Sequence, residues 1–266
     1  MKLLIIANWK YNPITLAKAK QLFNNTKKRL GGLKNIEVVI CPPLVYLDRL
    51  GASAFAKGFG GLVLGSQDCF WKEKGAFTGE VSAPMLKNLG VKYVIVGHSE
   101  RRRYFGETDE IINQKLKAVI RAGLKPILCI GETEKERRRG QTNQVIKKQL
   151  FEGFKGIKDI SVNQRRYQRK SAAMAIAIAY EPVWAIGTGN PCRPEDARKA
   201  SLFIKDVLAK IYNSKITARV RIIYGGSVNS QNAAGYIKKA KMHGLLVGGA
   251  SLDPKEFVKI IKSCEV

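Results

Sequence analysis

A carboxylate and an imidazole each stand directly behind an apolar run that has the length of a buried strand. Glu181 follows the run Ala175–Tyr180, and His98 follows the run Tyr93–Val96 after one glycine. A carboxylate in that place is partly removed from water, as the base of a proton transfer requires. A glutamate that caps a strand or pairs with an arginine, and a histidine with a structural role, would give the same pattern. Together the two residues favour proton abstraction next to a carbonyl group.

Further polar groups follow other runs and complete this chemistry. Asn8 and Lys10 come at the end of the first run, where Lys10 would attract an anionic substrate and stabilise a developing oxyanion. Ser99 and Glu100 would open a helical turn whose backbone donors point towards the ring of His98, which favours a neutral imidazole that donates a hydrogen bond. These residue types predict an enediolate reaction.

Two glycine-rich turns indicate how such a substrate would be anchored. Gly225-Gly226-Ser227 follows the seventh run and Gly248-Gly249 follows the eighth. Exposed backbone N–H groups at such turns commonly bind phosphate, although each turn alone could be a simple tight turn. A phosphorylated enediolate loses phosphate when water enters, so a closing lid is expected. The segment behind Glu181 suits a lid: Pro182, Val183, Trp184, Ala185, Ile186, Gly187, Thr188 and Gly189.

The positions of these residues depend on the elements between them. The short apolar runs, which predict strands buried on both faces, are Leu3–Ala7, Ile36–Ile40, Leu62–Leu64, Tyr93–Val96, Pro126–Ile130, Ala175–Tyr180, Val220–Ile223 and Leu245–Val247. Amphipathic stretches lie between them. Eight alternating units predict an α/β fold, a single-domain (β/α)8 barrel with a parallel eight-stranded core over residues 1–266. An open doubly wound sheet would need a glycine-rich turn after the first strand, where Asn8-Trp9-Lys10 stands instead.

Helix boundaries follow from local signals. The predicted helices include Leu16–Leu30, Glu107–Ala122, Pro194–Tyr212 and a last helix that begins at Asp253-Pro254. Gly90 and Gly123 stand where helices should stop. The polar, basic segment from Lys155 to Ser171 is interpreted as a surface connection before the sixth strand.

Composition narrows the class of protein. The chain has 47 Lys and Arg against 21 Asp and Glu, a formal charge of +26. Basic clusters at Arg101–Arg103, Lys135–Arg139 and Arg165–Lys170 are scattered and lack interleaved aromatic residues, so specific nucleic-acid recognition is not favoured over a solvated basic surface. Five cysteines without a C-x-x-C pair argue against a disulfide framework or a zinc site. With no secretory signal and no run long enough to span a bilayer, we expect a cytoplasmic protein.

Seven stretches, in order along almost the whole chain, resemble the triosephosphate isomerase family. They are ANWK at 7–10, GAFTGE at 75–80, VGHSERR at 96–102, CIGE at 129–132, AYEPVWAIGTG at 179–189, YGGSV at 224–228 and LVGGASL at 246–252. The run around Glu181 is the most specific. The resemblance implies a (β/α)8 barrel that interconverts dihydroxyacetone phosphate and glyceraldehyde 3-phosphate in glycolysis and gluconeogenesis, without a metal or an organic cofactor.

The resemblance also implies roles for single residues. Glu181 is similar to the family's base, His98 to its electrophile, and Lys10 and Asn8 to its oxyanion and substrate contacts. Glu100 matches a glutamate that assists the lysine. Matches to the positions that hold phosphate are Gly187, Ser227, Gly248 and Gly249. Thr78 matches a loop that reaches into the partner of a homodimer, towards the partner's His98 and Lys10.

Two local departures from the family pattern stand out. Asn190-Pro191-Cys192 occupies the end of the lid, where the family usually has a basic residue, threonine and alanine. Because proline stiffens the backbone, altered lid kinetics are expected. His243 replaces a common aspartate and Lys205 a typical arginine, which puts an ion pair near the lid in doubt.

Three alternatives remain. A different phosphate-binding barrel enzyme would need a second acid–base set, for which Cys129 and Glu132 are the candidates. An inactive barrel that serves as a binding protein would be expected to have lost Lys10, His98 or Glu181. A polyanion-binding role could be added to the enzyme by its basic surface.

Overall fold

Eight parallel strands close into a barrel in the part of the chain that the computed structural model describes, which is residues 1–31, 35–55, 62–158 and 176–265. The strands are β1 (Leu3–Asn8), β2 (Ile36–Cys41), β3 (Leu62–Ser66), β4 (Tyr93–Val96), β5 (Lys125–Ile130), β6 (Ala177–Tyr180), β7 (Arg221–Tyr224) and β8 (Gly244–Val247). Each strand pairs with its neighbours in chain order, and β1 pairs with β8 to close the ring. The predicted closed barrel is confirmed.

The strand sequences are apolar throughout because both of their faces are buried. In β1, Leu4 and Ile6 point into the barrel, where they pack with Tyr93, Ile127 and other inward residues. Ile5 and Ala7, with the opposite orientation, belong to the larger core between the sheet and the helices. Successive side chains of a strand alternate between its faces, so two buried faces require an unbroken apolar run.

Helices cover the outside of the barrel. They are α1 (Leu16–Arg29), α2 (Leu47–Phe55), α3 (Ala83–Asn88), α4 (Ser99–Phe105), α5 (Asp109–Arg121), α6 (Glu134–Arg138), α7 (Thr142–Gly153), α8 (Pro194–Ile211), α9 (Ser214–Thr217), α10 (Ala233–Lys238) and α11 (Pro254–Ser263). Short 3-10 turns span Leu44–Tyr46, Val183–Ala185 and Gly249–Leu252. Among the described residues, no helix is both long and apolar enough to cross a membrane.

Most predicted boundaries hold to within two residues. Gly90 and Gly123 follow α3 and α5 with φ of 77° and 75°, a conformation that favours glycine. The predicted start of α5 at Glu107 is two residues early, because the Thr108 side chain caps the helix by accepting from Ile111 N. Ala175, the predicted start of β6, lies outside the described residues, as does most of the predicted connection from Lys155 to Ser171.

Candidate active site

The polar residues that end the strands line one cavity at the carboxyl end of the barrel. It has a volume of about 240 Å³. Its walls include Asn8, Lys10, His98, Ile186, Gly187, Ser227, Gly248 and Gly249. The structure therefore brings together residues that are up to 241 positions apart in the sequence, as the carboxyl ends of parallel strands should.

Glu181 lies beneath this cavity, directly after β6, with a side chain only 2% exposed. Its Oε2 accepts a hydrogen bond from Ser99 N at 3.0 Å. Its Oε1 lies 3.3 Å from His98 Nε2 and has no well-formed hydrogen bond with any described residue. A Cβ atom at Gly225 would stand 2.9 Å from Glu181 Cγ, so glycine is needed there to leave room for the carboxylate.

The tautomer of His98 follows from its contacts. His98 caps the amino end of α4, and its Nδ1 accepts from Glu100 N at 3.2 Å. A ring nitrogen that accepts a backbone hydrogen bond carries no proton, so the neutral ring bears its proton on Nε2. Nε2 lies 3.3 Å from Glu181 Oε1 at the floor of the cavity, without the alignment of a well-formed hydrogen bond. The expected helical turn behind His98 is present as α4.

Lys10 is held in a strained backbone conformation. Its φ is 53°, which is uncommon for a residue with a side chain. Three contacts secure it: its N–H donates to Asn8 Oδ1 at 3.0 Å, its carbonyl accepts from Gln67 Nε2 at 2.8 Å, and Nζ lies 2.6 Å from Glu100 Oε1. The ammonium group consequently stands at the wall of the cavity. Gln67, which follows β3, is a positioning residue that the sequence analysis missed.

The predicted lid lies across the cavity and is tied to β7. Gly187 N donates to Ser227 Oγ at 3.2 Å, and Ser227 Oγ donates to Ala185 O at 2.6 Å. Gly187 and Gly189 have φ of 70° and 74°. Such angles are accessible to glycine with little strain, so these two residues give the segment its turns.

The start of the lid is fixed by a buried carboxylate. Trp184 Nε1 donates to Glu132 Oε1 at 2.8 Å, and Tyr180 Oη lies 3.2 Å from both oxygens of Glu132. Burial raises the pKa of Glu132, which the hydrogen bond from Trp184 partly offsets. The guanidinium of Arg137 covers the indole ring of Trp184 at 3.4 Å from its centroid. Arg137 was seen in the sequence only as part of a basic cluster.

The two glycine-rich turns face the same cavity. At Gly226 a Cβ atom would lie 2.2 Å from Tyr224 Oη, and at Gly248 one would lie 3.1 Å from Lys10 Cε. A larger residue would therefore collide with the Tyr224 ring at Gly226 and press on the Lys10 side chain at Gly248. Gly249 begins the 3-10 turn Gly249–Leu252, so its backbone N–H belongs to the unpaired first donors of a helical turn.

The sequence put a family ion pair in doubt at His243 and Lys205, and its expected place near the lid is wrong. His243 precedes β8 and so lies at the amino end of the barrel, opposite the lid. Its Nδ1 accepts from Ile222 N at 3.1 Å. Burial and the nearby charge of Lys205 lower the pKa of His243. Its position before a strand, rather than after one, was the feature of the sequence that could have placed it at the amino end.

Comparisons with known proteins agree with this geometry. The family model described as triosephosphate isomerase matches residues 3–264. A triosephosphate isomerase from Aquifex aeolicus (strain VF5) is 44% identical over 263 residues, which cover 99% of this chain and 100% of the relative. Proteins of the same name from Dictyoglomus thermophilum and Endomicrobium trichonymphae are each 43% identical, over 98% of this chain and 98% of their own length.

Proposed function

Because the chain belongs to the triosephosphate isomerase family, we propose that its cavity interconverts dihydroxyacetone phosphate and glyceraldehyde 3-phosphate. The observation that carries the proposal is Glu181 Oε1, a buried carboxylate oxygen without a well-formed hydrogen bond that faces the proton-bearing nitrogen of His98. A buried acceptor left unsatisfied is costly, and active sites are where proteins retain such groups.

The proposed reaction moves one proton between adjacent carbons. Glu181 Oε1 removes a proton from the carbon beside the carbonyl group, and the electron pair of the broken C–H bond moves towards the carbonyl oxygen. His98 Nε2–H and the ammonium of Lys10 stabilise that oxygen as its negative charge develops. The protonated Glu181 then returns a proton to the neighbouring carbon, while the hydroxyl proton passes from that substrate oxygen which becomes the new carbonyl to the oxygen of the former carbonyl. Carbonyl and hydroxyl thereby exchange places, and the overall composition does not change. Asn8 and Glu100 hold Lys10 in place for this step.

Anchoring of the phosphate is assigned to the other side of the cavity. Backbone N–H groups of the turns at Ser227 and Gly248-Gly249 would bind its oxygens, and Gly187 would close over it as part of the lid. The lid segment Pro182–Gly189 then excludes water, which protects the phosphorylated enediolate from elimination. Glu132, the candidate for a second acid–base set, is already engaged by Trp184 and Tyr180.

The test follows conversion of glyceraldehyde 3-phosphate with a coupled reductase and compares wild type with Glu181→Gln. General-base catalysis contributes roughly 10²–10⁴-fold, so turnover by the variant should fall by at least the lower figure while its circular dichroism is unchanged. The matched control is Glu195→Gln, an exposed glutamate on α8, which should keep wild-type turnover. A folded wild type without turnover would refute the proposal.

We also propose that the protein is a homodimer. The segment 72–80, which contains Thr78, is exposed in the single chain. Large apolar side chains are exposed within this segment, behind β1 and β2, and in α3: Phe77 by 41%, Tyr11 by 93%, Ile14 by 80%, Val45 by 78% and Met85 by 52%. An apolar surface of this kind is typical of a protein interface. Thr78 would then approach the partner's His98 and Lys10.

Light scattering measures this directly. The wild type should elute with twice the chain mass of 29.5 kDa, and Thr78→Arg should shift it towards a monomer with reduced turnover. A monomeric wild type with full activity would contradict the proposal. The expected cytoplasmic location is likewise a proposal, supported by the family's glycolytic reaction, and cell fractionation would test it.

A further inference from the structure

The excess of positive charge is not spread evenly over the described surface. The clusters that stand out in the sequence are largely occupied: Arg101 pairs with Asp68 and Glu107, Arg102 pairs with Asp109, and Arg138 pairs with Glu134. Arg137 covers Trp184. The third cluster, Arg165–Lys170, lies outside the described residues.

A different set of cations gathers at the amino end of the barrel, opposite the cavity. Helices run back from the carboxyl end of the strands to the amino end, so the last residues of helices and the residues that precede strands meet there. We call the exposed cations in the sector from β7 through β8 to β1 the basal surface; they are Lys2, Lys28, Arg29, Lys210, Arg219, Lys238, Lys239, Lys241 and Lys262.

These charges are close neighbours on the molecule. Strands β7, β8 and β1 are adjacent in the barrel, and α11 packs against both α1 and α10. Within the described ranges, none of the nine lies within 4.0 Å of a carboxylate oxygen. Among the described residues of the sector, the exposed carboxylate side chains are those of Asp206 and Glu265, so nine described cations face two described acids.

Other charged groups at this end add to the positive potential or cancel among themselves. Glu37 is paired with Arg221 and Lys125. Burial, Lys205, the amino terminus and Arg221 together lower the pKa of His243, which lies beneath the surface. Cations at helix ends also stabilise helix dipoles. Lys2 and Lys241 precede strands, however, and serve no helix end.

We propose that the basal surface binds the phosphate backbone of double-helical nucleic acid. A duplex carries one negative charge per about 1.7 Å of its axis, an array that several spaced lysines can neutralise at once. Binding of single strands adds aromatic stacking to charge, and firm binding to a lipid surface adds inserted apolar groups. The large exposed apolar side chains of the described residues lie elsewhere, except Met1. Binding here is independent of sequence and leaves the active-site cavity open.

The test uses fluorescence anisotropy with a labelled 20-base-pair duplex, as RNA and as DNA, between 50 and 200 mM KCl. The plot of log affinity against log salt falls by about 0.9 for each phosphate contact, so five contacts predict a slope of about −4.5. The basal variant carries Lys28→Gln, Arg29→Gln, Lys238→Gln, Lys239→Gln and Lys262→Gln. Its slope should be shallower by at least about two, with at least about ten-fold weaker binding at 100 mM.

A wall variant removes the same number of charges from exposed positions on α5, α6 and α7. It carries Lys117→Gln, Lys135→Gln, Arg139→Gln, Lys147→Gln and Lys148→Gln. Its slope should match wild type, and both variants should retain isomerase turnover, which reports on folding. If the basal variant does not fold, Lys2→Gln combined with Lys241→Asn gives the same test with no helix end altered.

Three results would overturn the proposal. Equal losses in the wall and basal variants would mean diffuse attraction by net charge. Absence of duplex binding at 100 mM KCl would mean that no contact surface of this size exists. Binding to vesicles of anionic phosphatidylserine that the duplex cannot displace would assign the surface to lipid.

Discussion

Both ends of the barrel hold buried charged groups, but only one end satisfies them fully. At the amino end, Arg221 donates to Glu37 at 2.8 Å and to Tyr93 Oη at 2.7 Å, and Lys125 lies against both. Burial alone would raise the pKa of Glu37, yet the hydrogen bonds of Arg221 and Tyr93 lower it.

The carboxyl end retains backbone strain and an unsatisfied hydrogen-bond acceptor. Lys10 has a positive φ, and Glu181 Oε1 is buried without a well-formed hydrogen bond. A fold has no reason to retain both features for stability alone, because each costs free energy. The contrast teaches that the amino end contributes to stability and the carboxyl end is organised around a substrate.

The largest expected effect is a loss of stability at the amino end. Arg221→Met removes the nearest cation of Glu37 and should lower the free energy of unfolding by about 3 kcal/mol, the lower end of the range for a broken buried pair. The more distant Lys125, at 3.7 Å, and the partial exposure of Glu37 compensate only in part. Turnover at 25 °C should stay near wild type. Urea unfolding at a fixed protein concentration measures the change. Arg219→Met, an exposed neighbour, should change stability by less than about 0.5 kcal/mol.

Lys10→Met addresses the opposite end. Loss of a group that stabilises developing charge should lower kcat by about 10²–10³-fold. The free energy of unfolding should change little, since the pair with Glu100 is substantially exposed and such pairs contribute roughly 0–1 kcal/mol. Lys18→Met on the surface of α1 is the matched control. A loss of stability as large as that of Arg221→Met would erase the difference between the two ends.

A third buried cluster, around Asp68, sharpens the comparison. Its charged groups are paired, yet burial still destabilises the charged form of Asp68. Asp68 accepts from Lys115 Nζ at 2.6 and 2.7 Å, yet burial raises its pKa to about 6. An unfolded aspartate titrates near 3.9, so between about pH 4 and pH 6 the native state binds more protons than the unfolded state. The free energy of unfolding should therefore fall as pH rises through that window, by up to about 3 kcal/mol.

Asp68→Asn isolates this effect. The variant cannot titrate at that position, so the pH dependence between pH 4 and pH 6 should flatten relative to wild type. Thermal unfolding across that range, at one protein concentration, measures both proteins. Parallel curves would mean that Asp68 remains charged throughout and that Lys115 fully compensates its burial.

The barrel could be predicted from the sequence because each strand is marked by a local apolar run. Runs such as Tyr93–Val96 need no long-range information to be recognised as doubly buried strands. The residues after them meet at one end because of the geometry of parallel sheets, which is why the sequence could place Glu181, His98 and Lys10 close together. The contact partners of individual charged side chains could not be predicted in this way. Arg101 and Arg137 look alike in the sequence, and only three-dimensional neighbours decide that one joins an ion cluster and the other covers an indole.

The same limit explains the wrong placement of His243. Resemblance to the family suggested a position near the lid, paired with that of Lys205. The place of His243 directly before β8 puts it at the amino end instead. Gln67 shows the converse case. It follows a strand, but its role as the donor to Lys10 O depends on a hydrogen bond that no sequence pattern specifies.

The smallest expected effect concerns how the carboxyl end opens. Pro191 fixes its own φ and favours an extended Asn190. Behind it, Cys192 N donates to Tyr224 Oη at 3.2 Å and Cys192 O accepts from Tyr236 Oη at 2.7 Å. These two rings stack with centroids 3.7 Å apart. The far end of the lid is thereby clamped, so its motion must be absorbed mainly at Gly187 and Gly189.

Pro191→Thr should loosen that end and raise the rate of lid opening, with a change in kcat below about ten-fold because none of the groups assigned to the proton transfer is altered. Fluorine NMR line shapes of 5-fluorotryptophan at Trp184 report the exchange rate. Pro254→Thr, at the first position of α11, serves as the control for replacing a proline outside the lid. Equal exchange rates in wild type and Pro191→Thr would mean that the clamp on Cys192, rather than the proline ring, sets the stiffness of the lid, and Tyr236→Phe would then be the variant that accelerates opening.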